Sequence, residues 1–437
     1  MSSGGPTQEQ AASPDNSLTR ADGALGQGDA AQKRSSQVSA DNGVDLLPSK
    51  QFIVLRNGPM GGVKLAEVAV RPPEADEVVV RVGFCGLCGS DIPRLQGKDM
   101  RENEKGKRWG GEHFDEIAIG HEFTGTVVTY GQGVDDGNSI LGKGFAIAPL
   151  KPCHCCASCN DSKFGQCADY SFIGSREDGG FAQFVTVPRQ NLIPLPDGVG
   201  MREGALLEPL TCVLHPLINA GFFGVNGAQH KSIDSVLITG PGAIGLLAVQ
   251  VFKAMGVPRI VISGTRDEPL ALARELGATD TFKIERNESR DALARYVHSS
   301  GGRVQLVFDA SGDLDSDISC VAEGGDIIMV GKADPTLVFE GQKVYSDITR
   351  KERVVQSRLG FTLRGSQMSY GAGGTWPGLE WAEGLKLMAQ GAIDAAKIIG
   401  SDEFGFDTFN EGVMGVLSDK KPVKLMFRAD APDKALI

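Results

Sequence analysis

Long apolar runs and an excess of basic residues are both missing from this sequence of 437 residues. A helix that crosses a bilayer needs about 20 apolar residues in succession. The best candidate, 204–225, is interrupted by Glu208, Pro209, His215 and Asn219. Asp and Glu outnumber Lys and Arg by 55 to 44, which gives a formal net charge of −11. We therefore expect neither a membrane nor nucleic acid as a partner.

Aromatic residues are absent from the first 48 positions, which are rich in Ser, Gly, Ala, Gln and Asp. This segment has neither the apolar core of a secretory signal nor the Arg-rich, acid-poor composition of a transit peptide. We predict that residues 1–48 form a disordered tail, with an uncleaved regulatory or docking arm as the alternative. The remaining length allows two or three compact units with a large buried core.

The cysteines are odd in number and unevenly distributed. Seven of the nine lie between Cys85 and Cys167, which suits metal ligation in a reducing compartment better than disulfide pairing outside the cell. We therefore expect a cytoplasmic protein.

A short cysteine-rich segment reads KPCHCCASCNDSKFGQC, with Cys153, Cys156, Cys159 and Cys167 at steps of three, three and eight. Four thiolates in one turn-rich segment can surround a zinc ion tetrahedrally and leave no position for a substrate. The spacing predicts a structural zinc site, with His154 and Cys155 as bystanders. Reduced surface thiols or local disulfides are the alternative.

A second set of possible metal ligands is scattered along the chain. It consists of Cys88 in FCGLCGSD, His121 and Glu122 in IAIGHEFTG, and Glu208 in LLEPLTCVLH. Each residue alone is more often a hydrogen-bonded structural group. Together, one thiolate, one imidazole and two carboxylates can hold zinc and leave one position open for a substrate hydroxyl, provided that they meet in space.

A glycine motif predicts a dinucleotide site. It follows an apolar strand predicted over 236–239 and begins a helix with an apolar period of 3.6 residues. Its glycines permit a tight turn, close approach of the backbone to a pyrophosphate and close packing of helix on sheet. Further strands at 259–263, 305–312 and 326–331 predict a doubly wound parallel sheet, although a glycine-rich turn in an unrelated α/β domain is the alternative. We assign cofactor binding to Gly240, Gly242, Ala243, Ile244, Gly245 and Val330.

The end of the second predicted strand bears on the choice of coenzyme. An acidic residue usually stands there and hydrogen-bonds the adenosine ribose, but this chain has Gly264, Thr265 and Arg266. The Thr265 hydroxyl and the Arg266 guanidinium could bind a 2′-phosphate, so NADP is slightly favoured over NAD. Asp267 or Glu268 could instead turn back to the ribose and restore the use of NAD.

The chain divides into two predicted domains after the tail. Short strands punctuated by Gly and Pro over 49–207 predict an irregular β-barrel, which 367–437 would complete after a helix at about 380–390. The dinucleotide-binding domain spans 208–366, and the active cleft would lie between the two domains.

These motifs resemble, in their order, the zinc-dependent medium-chain dehydrogenase/reductase superfamily, and the chain looks most like the galactitol-1-phosphate 5-dehydrogenases within it. The sequence segments that carry the resemblance include CGLCGSDIPRL, PLKPCHCCASC, YSFIGSREDGGFAQFVTV and GSQMSYGAGGTWPGLEW. The resemblance implies a GroES-like catalytic domain joined to a Rossmann domain, two zinc ions per subunit, NAD or NADP, and a homodimer or homotetramer. It implies a catalytic zinc site at Cys88, His121, Glu122 and Glu208, and a structural one at Cys153, Cys156, Cys159 and Cys167.

The implied reaction is the transfer of a hydride from the secondary hydroxyl of a polyol or polyol phosphate to the nicotinamide. In this hypothesis Ser90 and Glu122 are catalytic: Ser90 passes the hydroxyl proton towards solvent, and Glu122 exchanges as a zinc ligand. Asp91 orients the site, and Arg94 binds a substrate phosphate or serves only as a surface ion-pair partner. An unphosphorylated polyol or diol dehydrogenase of the sorbitol or butanediol type, and a non-catalytic nucleotide-binding protein on the same fold, are the alternatives.

Overall fold

The computed structural model describes residues 47–56, 63–96, 117–134, 140–225, 230–285, 291–331, 354–356, 362–365, 371, 376–401, 403–416 and 422–429. The tail predicted over 1–48 lies outside the described residues, apart from its last two positions.

The described elements alternate between two kinds of sheet. The strands are β1 Lys50–Arg56, β2 Val63–Ala69, β3 Glu77–Gly86, β4 Glu122–Tyr130, β5 Gly144–Ile147, β6 Leu150–Lys151, β7 Ser171–Phe172, β8 Phe184–Pro188, β9 Leu192–Pro194, β10 Ser235–Thr239, β11 Arg259–Gly264, β12 Asp280–Lys283, β13 Val304–Asp309, β14 Val321–Met329, β15 Val354–Gln356, β16 Thr362–Gly365, β17 Glu403–Phe404 and β18 Met426–Arg428. The helices are α1 Asp91–Leu95, α2 Ala157–Asn160, α3 Met201–Gly204, α4 Leu207–Asn219, α5 Ala243–Ala254, α6 Asp267–Leu276, α7 Asp291–Ser299, α8 Leu314–Cys320, α9 Leu379–Ala389, α10 Ala395–Ile399 and α11 Phe409–Val416.

The first large sheet is mostly antiparallel and runs in the order β17-β18-β3-β4-β5-β9, with β8 also paired to β3. Strand β8 alternates between half-buried and buried residues, as expected for a strand with one face on a core. Strand β18, from the end of the chain, pairs antiparallel with β3 through Met426↔Gly86 and Phe427↔Cys85. Phe427 is thereby buried against the rings of Phe181 and Phe409, which anchors the C-terminal segment to this sheet.

The second large sheet has the order β12-β11-β10-β13-β14-β16-β15. Its neighbouring strands are parallel, except that β15 runs antiparallel to β16. Strand β10 reads SVLIT with its last four residues buried, which is typical of parallel strands covered by helices on both faces. Strand β13 ends at Asp309, three residues before its predicted end, because the Asp309 carboxylate accepts hydrogen bonds from the backbone of Ser311 and Gly312 and turns the chain.

The predicted architecture is confirmed in its sheets: a mostly antiparallel β-domain stands beside a parallel sheet with helices between its strands. Helices α4 and α5 share one hydrophobic cluster with the parallel sheet, since Leu210, Leu214, Leu247 and Ile238 are all fully buried in it. In the part of the chain that the structure describes, no helix combines the length and the apolar character that crossing a membrane requires.

Candidate metal and dinucleotide sites

The four cysteines at steps of three, three and eight meet around one point. Cys167 Sγ lies 3.4 Å from Cys153 Sγ and 3.9 Å from Cys156 Sγ, and Cys153 Sγ lies 4.0 Å from Cys159 Sγ. Four Zn–S bonds of about 2.3 Å in a tetrahedron place the sulfurs roughly 3.8 Å apart. The thiol cluster therefore fits a zinc ion with no position left open.

The four thiols of this cysteine-rich lobe, residues 153–167, differ in acidity. The N–H groups of Cys155 and Cys156 lower the pKa of Cys153 to about 6, whereas burial raises the pKa of Cys159 to about 12 and that of Cys167 above its ordinary value. The Cys155 side chain is exposed, and neither it nor His154 belongs to the group of converging ligand atoms found among the described residues.

A second group of ligand atoms brings together Cys88, His121 and Glu122. The Cys88 sulfur, an imidazole nitrogen and a carboxylate oxygen all lie within 4.8 Å of one another. Cys88 occupies the turn between β3 and α1, and Glu122 begins β4 opposite Gly86 of β3. A β-carbon on Gly86 would lie 2.3 Å from Glu122 Oε2, so only glycine leaves room for this carboxylate. A thiolate, an imidazole and a carboxylate form a donor set suited to a catalytic zinc ion.

The imidazole of His121 is buried between acidic groups. Its Nδ1 lies 3.7 Å from Asp91 Oδ1, and Asp91 Oδ2 accepts a hydrogen bond from the Cys88 backbone N–H at 3.2 Å. Burial lowers the pKa of His121, but Asp91, the Cys88 sulfur and Glu208 outweigh it and raise the pKa to about 10. The pocket thus favours a positive charge at this point, as a site for a divalent cation would.

Glu122 has a partner that the sequence did not indicate. Lys424 Nζ lies 2.9 Å from Glu122 Oε1, 2.6 Å from Oε2 and 3.1 Å from the carbonyl oxygen of Leu87. Both charged side chains are buried. Burial lowers the pKa of Lys424, but Glu122, Cys88 and Glu208 together raise it above its ordinary value, so the ammonium form is favoured.

Glu208 lies near this group but not within it. It is buried in the first turn of α4, and its charge contributes to the raised pKa of both His121 and Lys424. Among the described residues, its carboxylate does not join the group whose ligand atoms all lie within 4.8 Å.

Ser90 lies beside the second group. Its Oγ donates a hydrogen bond to Cys88 Sγ at 3.2 Å, and its own side chain is exposed. Arg94 belongs to α1, and its side chain lies outside what the structure describes.

The glycine motif stands where the sequence predicts it. Gly240 directly follows β10 with φ +93°, which favours glycine, and α5 begins at Ala243. A β-carbon on Gly245 would lie 2.0 Å from the carbonyl oxygen of Gly240, so helix and turn approach as closely as this motif requires. Val330 follows the end of β14, and its N–H donates to the carbonyl oxygen of Asp309 at 2.9 Å.

The neighbouring strand end carries basic residues. Thr265 is exposed and Arg266 half-buried directly after β11, whose last residue pairs with Lys283 of β12. Lys283 Nζ lies 2.8 Å from Asp267 Oδ2 and 3.4 Å from Glu285 Oε1. The hydrogen bond with Asp267 raises the pKa of Lys283, so this cation is retained at neutral pH.

Two family models match this chain. The alcohol dehydrogenase GroES-like domain matches residues 74–197, and the zinc-binding dehydrogenase domain matches residues 243–371.

Individual proteins match over nearly their whole length. Galactitol 1-phosphate 5-dehydrogenase of Escherichia coli K12 is 31% identical over 378 residues, which cover 85% of this chain and 98% of that protein. (R,R)-butanediol dehydrogenase of Bacillus subtilis is 26% identical over 372 residues, or 84% of this chain and 96% of the relative. The crystal structure of galactitol-1-phosphate dehydrogenase from E. coli superposes with a TM-score of 0.68 at 28% identity, over 87% of this chain and 99% of that one. A zinc-binding dehydrogenase from Sinorhizobium meliloti, crystallised with NADP, gives a TM-score of 0.66 at 25% identity, over 87% of this chain and 100% of that one.

Proposed function

Because this chain belongs to the zinc-binding alcohol dehydrogenase family, it is an NAD(P)-dependent oxidoreductase, and we propose that it oxidises a secondary hydroxyl of a polyol phosphate. The observation that carries the proposal is the convergence of Cys88, His121 and Glu122, in a chain that also has a dinucleotide-type glycine turn. The similarity to galactitol 1-phosphate 5-dehydrogenase supports the substrate class.

In this proposal two zinc ions are bound per subunit. Cys88, His121 and Glu208 hold the catalytic ion, with Glu122 as an exchangeable fourth ligand, and the four-cysteine lobe holds the structural ion. When bound, the catalytic zinc lowers the pKa of the substrate hydroxyl, and the nicotinamide accepts the hydride. Asp91 orients His121, and Ser90 moves the hydroxyl proton towards solvent from its place beside Cys88.

The roles of Glu122 and Glu208 are assigned from their charged neighbours. Glu122 is engaged by Lys424 through both carboxylate oxygens, so its ligation requires that this ion pair opens. The charge of Glu208 already acts on His121 and raises the pKa of the imidazole. The ion pair with Lys424 supports Glu122 as the exchanging ligand, and the effect on His121 supports Glu208 as the permanent one.

NADP is the proposed coenzyme. Asp267, which could have turned to a ribose hydroxyl, is instead paired with Lys283. Thr265, Arg266 and Lys283 then offer a hydroxyl and two cations at the strand end where a 2′-phosphate would lie. Replacing Arg266 by Ala should lower kcat/KM for NADP by about tenfold and leave that for NAD unchanged. An unchanged NADP to NAD ratio would reject this site.

The substrate is tested with the purified, zinc-loaded enzyme. Absorbance of the reduced nicotinamide is followed with NAD and NADP against phosphorylated and free hexitols, pentitols and vicinal diols. We expect phosphorylated hexitols to give the highest kcat/KM. Higher values with free polyols or diols would instead favour an enzyme of the sorbitol or butanediol type, a reading supported by the similarity to butanediol dehydrogenase. A protein that binds coenzyme but turns over nothing would be the non-catalytic alternative.

Arg94 is the proposed phosphate-binding residue. Arg94→Ala should lower kcat/KM for the phosphorylated substrate far more than for the free polyol. An equal effect on both substrates would leave Arg94 as a surface residue. We further propose that the enzyme is cytoplasmic. We also propose that it forms a homodimer or homotetramer, and a sedimentation measurement would check this oligomeric state.

A further inference from the structure

Three buried polar side chains meet below the carboxyl edge of the parallel sheet and have no part in the chemistry above. Thr239 ends β10, Asp309 ends β13 and Asp317 lies in α8. Thr239 is 3% exposed, and both aspartates are 0% exposed. Burying two acids in one place is unfavourable unless their charges are compensated, so the arrangement calls for a physical reason.

Asp309 connects the ends of three strands. Its Oδ1 accepts hydrogen bonds from Thr239 Oγ1 at 3.0 Å, from the Ser311 N–H at 2.8 Å and from the Gly312 N–H at 2.6 Å. Its backbone carbonyl oxygen accepts from the N–H groups of the two residues that follow β14, at 2.9 and 2.8 Å. One residue thus fixes the relative position of β10, β13 and β14 where each strand ends.

The loop held by Asp309 packs against the glycine turn. A β-carbon on Gly240 would lie 3.2 Å from the carbonyl carbon of Ala310, and one on Gly331 would lie 2.7 Å from the Gly312 nitrogen. With so little free space, a shift of the 310–312 loop would displace the Gly240 turn that receives the dinucleotide.

In the described part of the chain, neither Asp317 carboxylate oxygen nor Asp309 Oδ2 has a hydrogen-bond partner at ordinary distance, although the Thr239 hydroxyl lies near Asp317. Burial raises the pKa of Asp317 well above its ordinary value, and the nearby charges of Asp309 and Asp313 raise it further. Within α8, Cys320 also faces Asp317. From α7, His298 bonds the carbonyl oxygen of Ser319 at 3.1 Å and lies 3.3 Å from Arg303 Nε. No basic group therefore pairs with Asp317 among the described residues, and burial beside Asp309 favours its neutral form.

We propose that Asp309 is a positioning residue of the dinucleotide site, whose carboxylate holds the 310–312 loop against the Gly240 turn, and that Asp317 serves as a neutral acid beside it. The positioning role of Asp309 rests on the proposed dinucleotide binding. The state of Asp317 does not, because it is tested by measuring protein stability.

The binding arm measures dissociation constants of NADPH and NADH by fluorescence titration of the full-length enzyme. Asp309→Asn should weaken binding by about tenfold, because an amide presents fewer acceptors to the loop. Thr239→Val should weaken it by a smaller factor, and Thr239→Ser, which keeps the hydroxyl, should match the parent. Asp326→Asn, a buried acid at the other end of the sheet, is the matched control and should bind as the parent does. Equal affinities of Asp309→Asn and the parent, or of the Val and Ser variants, would overturn the positioning role.

The stability arm compares Asp317→Asn with the parent by thermal melting across pH. A raised folded-state pKa means that the parent is progressively destabilised as pH rises above the unfolded value of about 3.9 towards the native pKa. The Asn variant, which cannot ionise, should therefore gain in Tm over the parent as pH increases, whereas its NADPH affinity stays unchanged. A Tm difference that does not vary with pH would overturn the neutral-acid role. If the parent binds neither coenzyme, the proposed function fails while this arm still decides the state of Asp317.

Discussion

The two thiol-containing clusters differ in how far apart their residues lie along the chain. The four-cysteine lobe draws every sulfur from one segment of 153–167, and its nearest sulfurs lie 3.4 Å apart. The second cluster joins Cys88 and His121 from separate strand ends, and its Glu122 is paired with Lys424, 302 positions later. A closed site can be built by a local turn, whereas an open one depends on the topology of the whole domain.

The two clusters also differ in electrostatics. Around the four-cysteine lobe, backbone N–H groups lower the pKa of Cys153. Around the second cluster, Asp91, Glu122 and Lys424 are all buried, and Lys424 Nζ pairs with Glu122 Oε2 at 2.6 Å. Replacing one residue of a cluster should therefore affect activity and stability differently in the two regions.

The largest expected effect is the loss of catalysis on replacing Cys88 by Ser. Weaker ligation would remove the charge stabilisation that a metal supplies, and kcat/KM should fall by about 10³-fold. Metal analysis should find that one zinc per chain is lost and the lobe's zinc is retained. Cys155→Ser, an exposed cysteine outside both groups, is the control and should keep full activity and both ions. Normal activity of the Cys88 variant would remove the distinction between the clusters.

Next in size is the effect of Lys424→Met on stability. It leaves Glu122 buried without its cation, which costs about 3–5 kcal/mol in the free energy of unfolding. The urea midpoint should fall accordingly, and the double variant Glu122→Gln/Lys424→Met should recover most of the loss. Lys50→Met, which breaks an exposed pair with Glu67 at 2.6 Å, should leave the urea midpoint almost unchanged. A double variant as unstable as the single one would mean that the ion pair is not the cause.

The sequence could predict the features built from local segments better than those built by the whole fold. The spacing of the four cysteines and the Gly240 to Gly245 turn are local patterns, and the structure places both in the geometry expected of them. The residue types alone offered Cys88, His121, Glu122 and Glu208 as possible ligands, but their meeting in space could not be predicted, because nothing local brings β3 and β4 into register. The bulge between Val82 and Phe84 is one such detail that only the folded sheet supplies.

Lys424 was missed for a physical reason. It stands between Val423 and Leu425 in an apolar segment, and nothing in this local pattern shows that its ammonium group is buried. The one available signal was a single lysine within PVKLMF, where a buried cation requires a buried anion. Only the pairing of β18 with β3 identifies that anion as Glu122.

The lobe itself is tested by Cys159→Ser. A zinc ion held by four thiolates acts as a cross-link, and its loss should cost about 2–5 kcal/mol of stability, comparable to a disulfide. The melting temperature should fall and zinc should be lost at lower chelator concentration. Activity per folded molecule at low temperature should stay near that of the parent, with Cys155→Ser as the matched control. A fall in kcat as large as that of the Cys88 variant would show that the two clusters are coupled.

The smallest expected effect distinguishes two roles of Ser90. Its hydroxyl donates to Cys88 Sγ, whereas in the lobe Cys167 Sγ accepts from the backbone N–H of Cys153 at 3.3 Å. Ser90→Ala should lower kcat by about three- to tenfold, since an exposed hydrogen bond to a thiolate contributes modestly. If Ser90 also moves the proton, the loss should grow towards low pH, where proton release is harder, and Ser90→Thr should restore it. Ser158→Ala in the lobe is the control and should leave kcat unchanged. A loss that is the same at every pH would restrict Ser90 to stabilising the Cys88 thiolate.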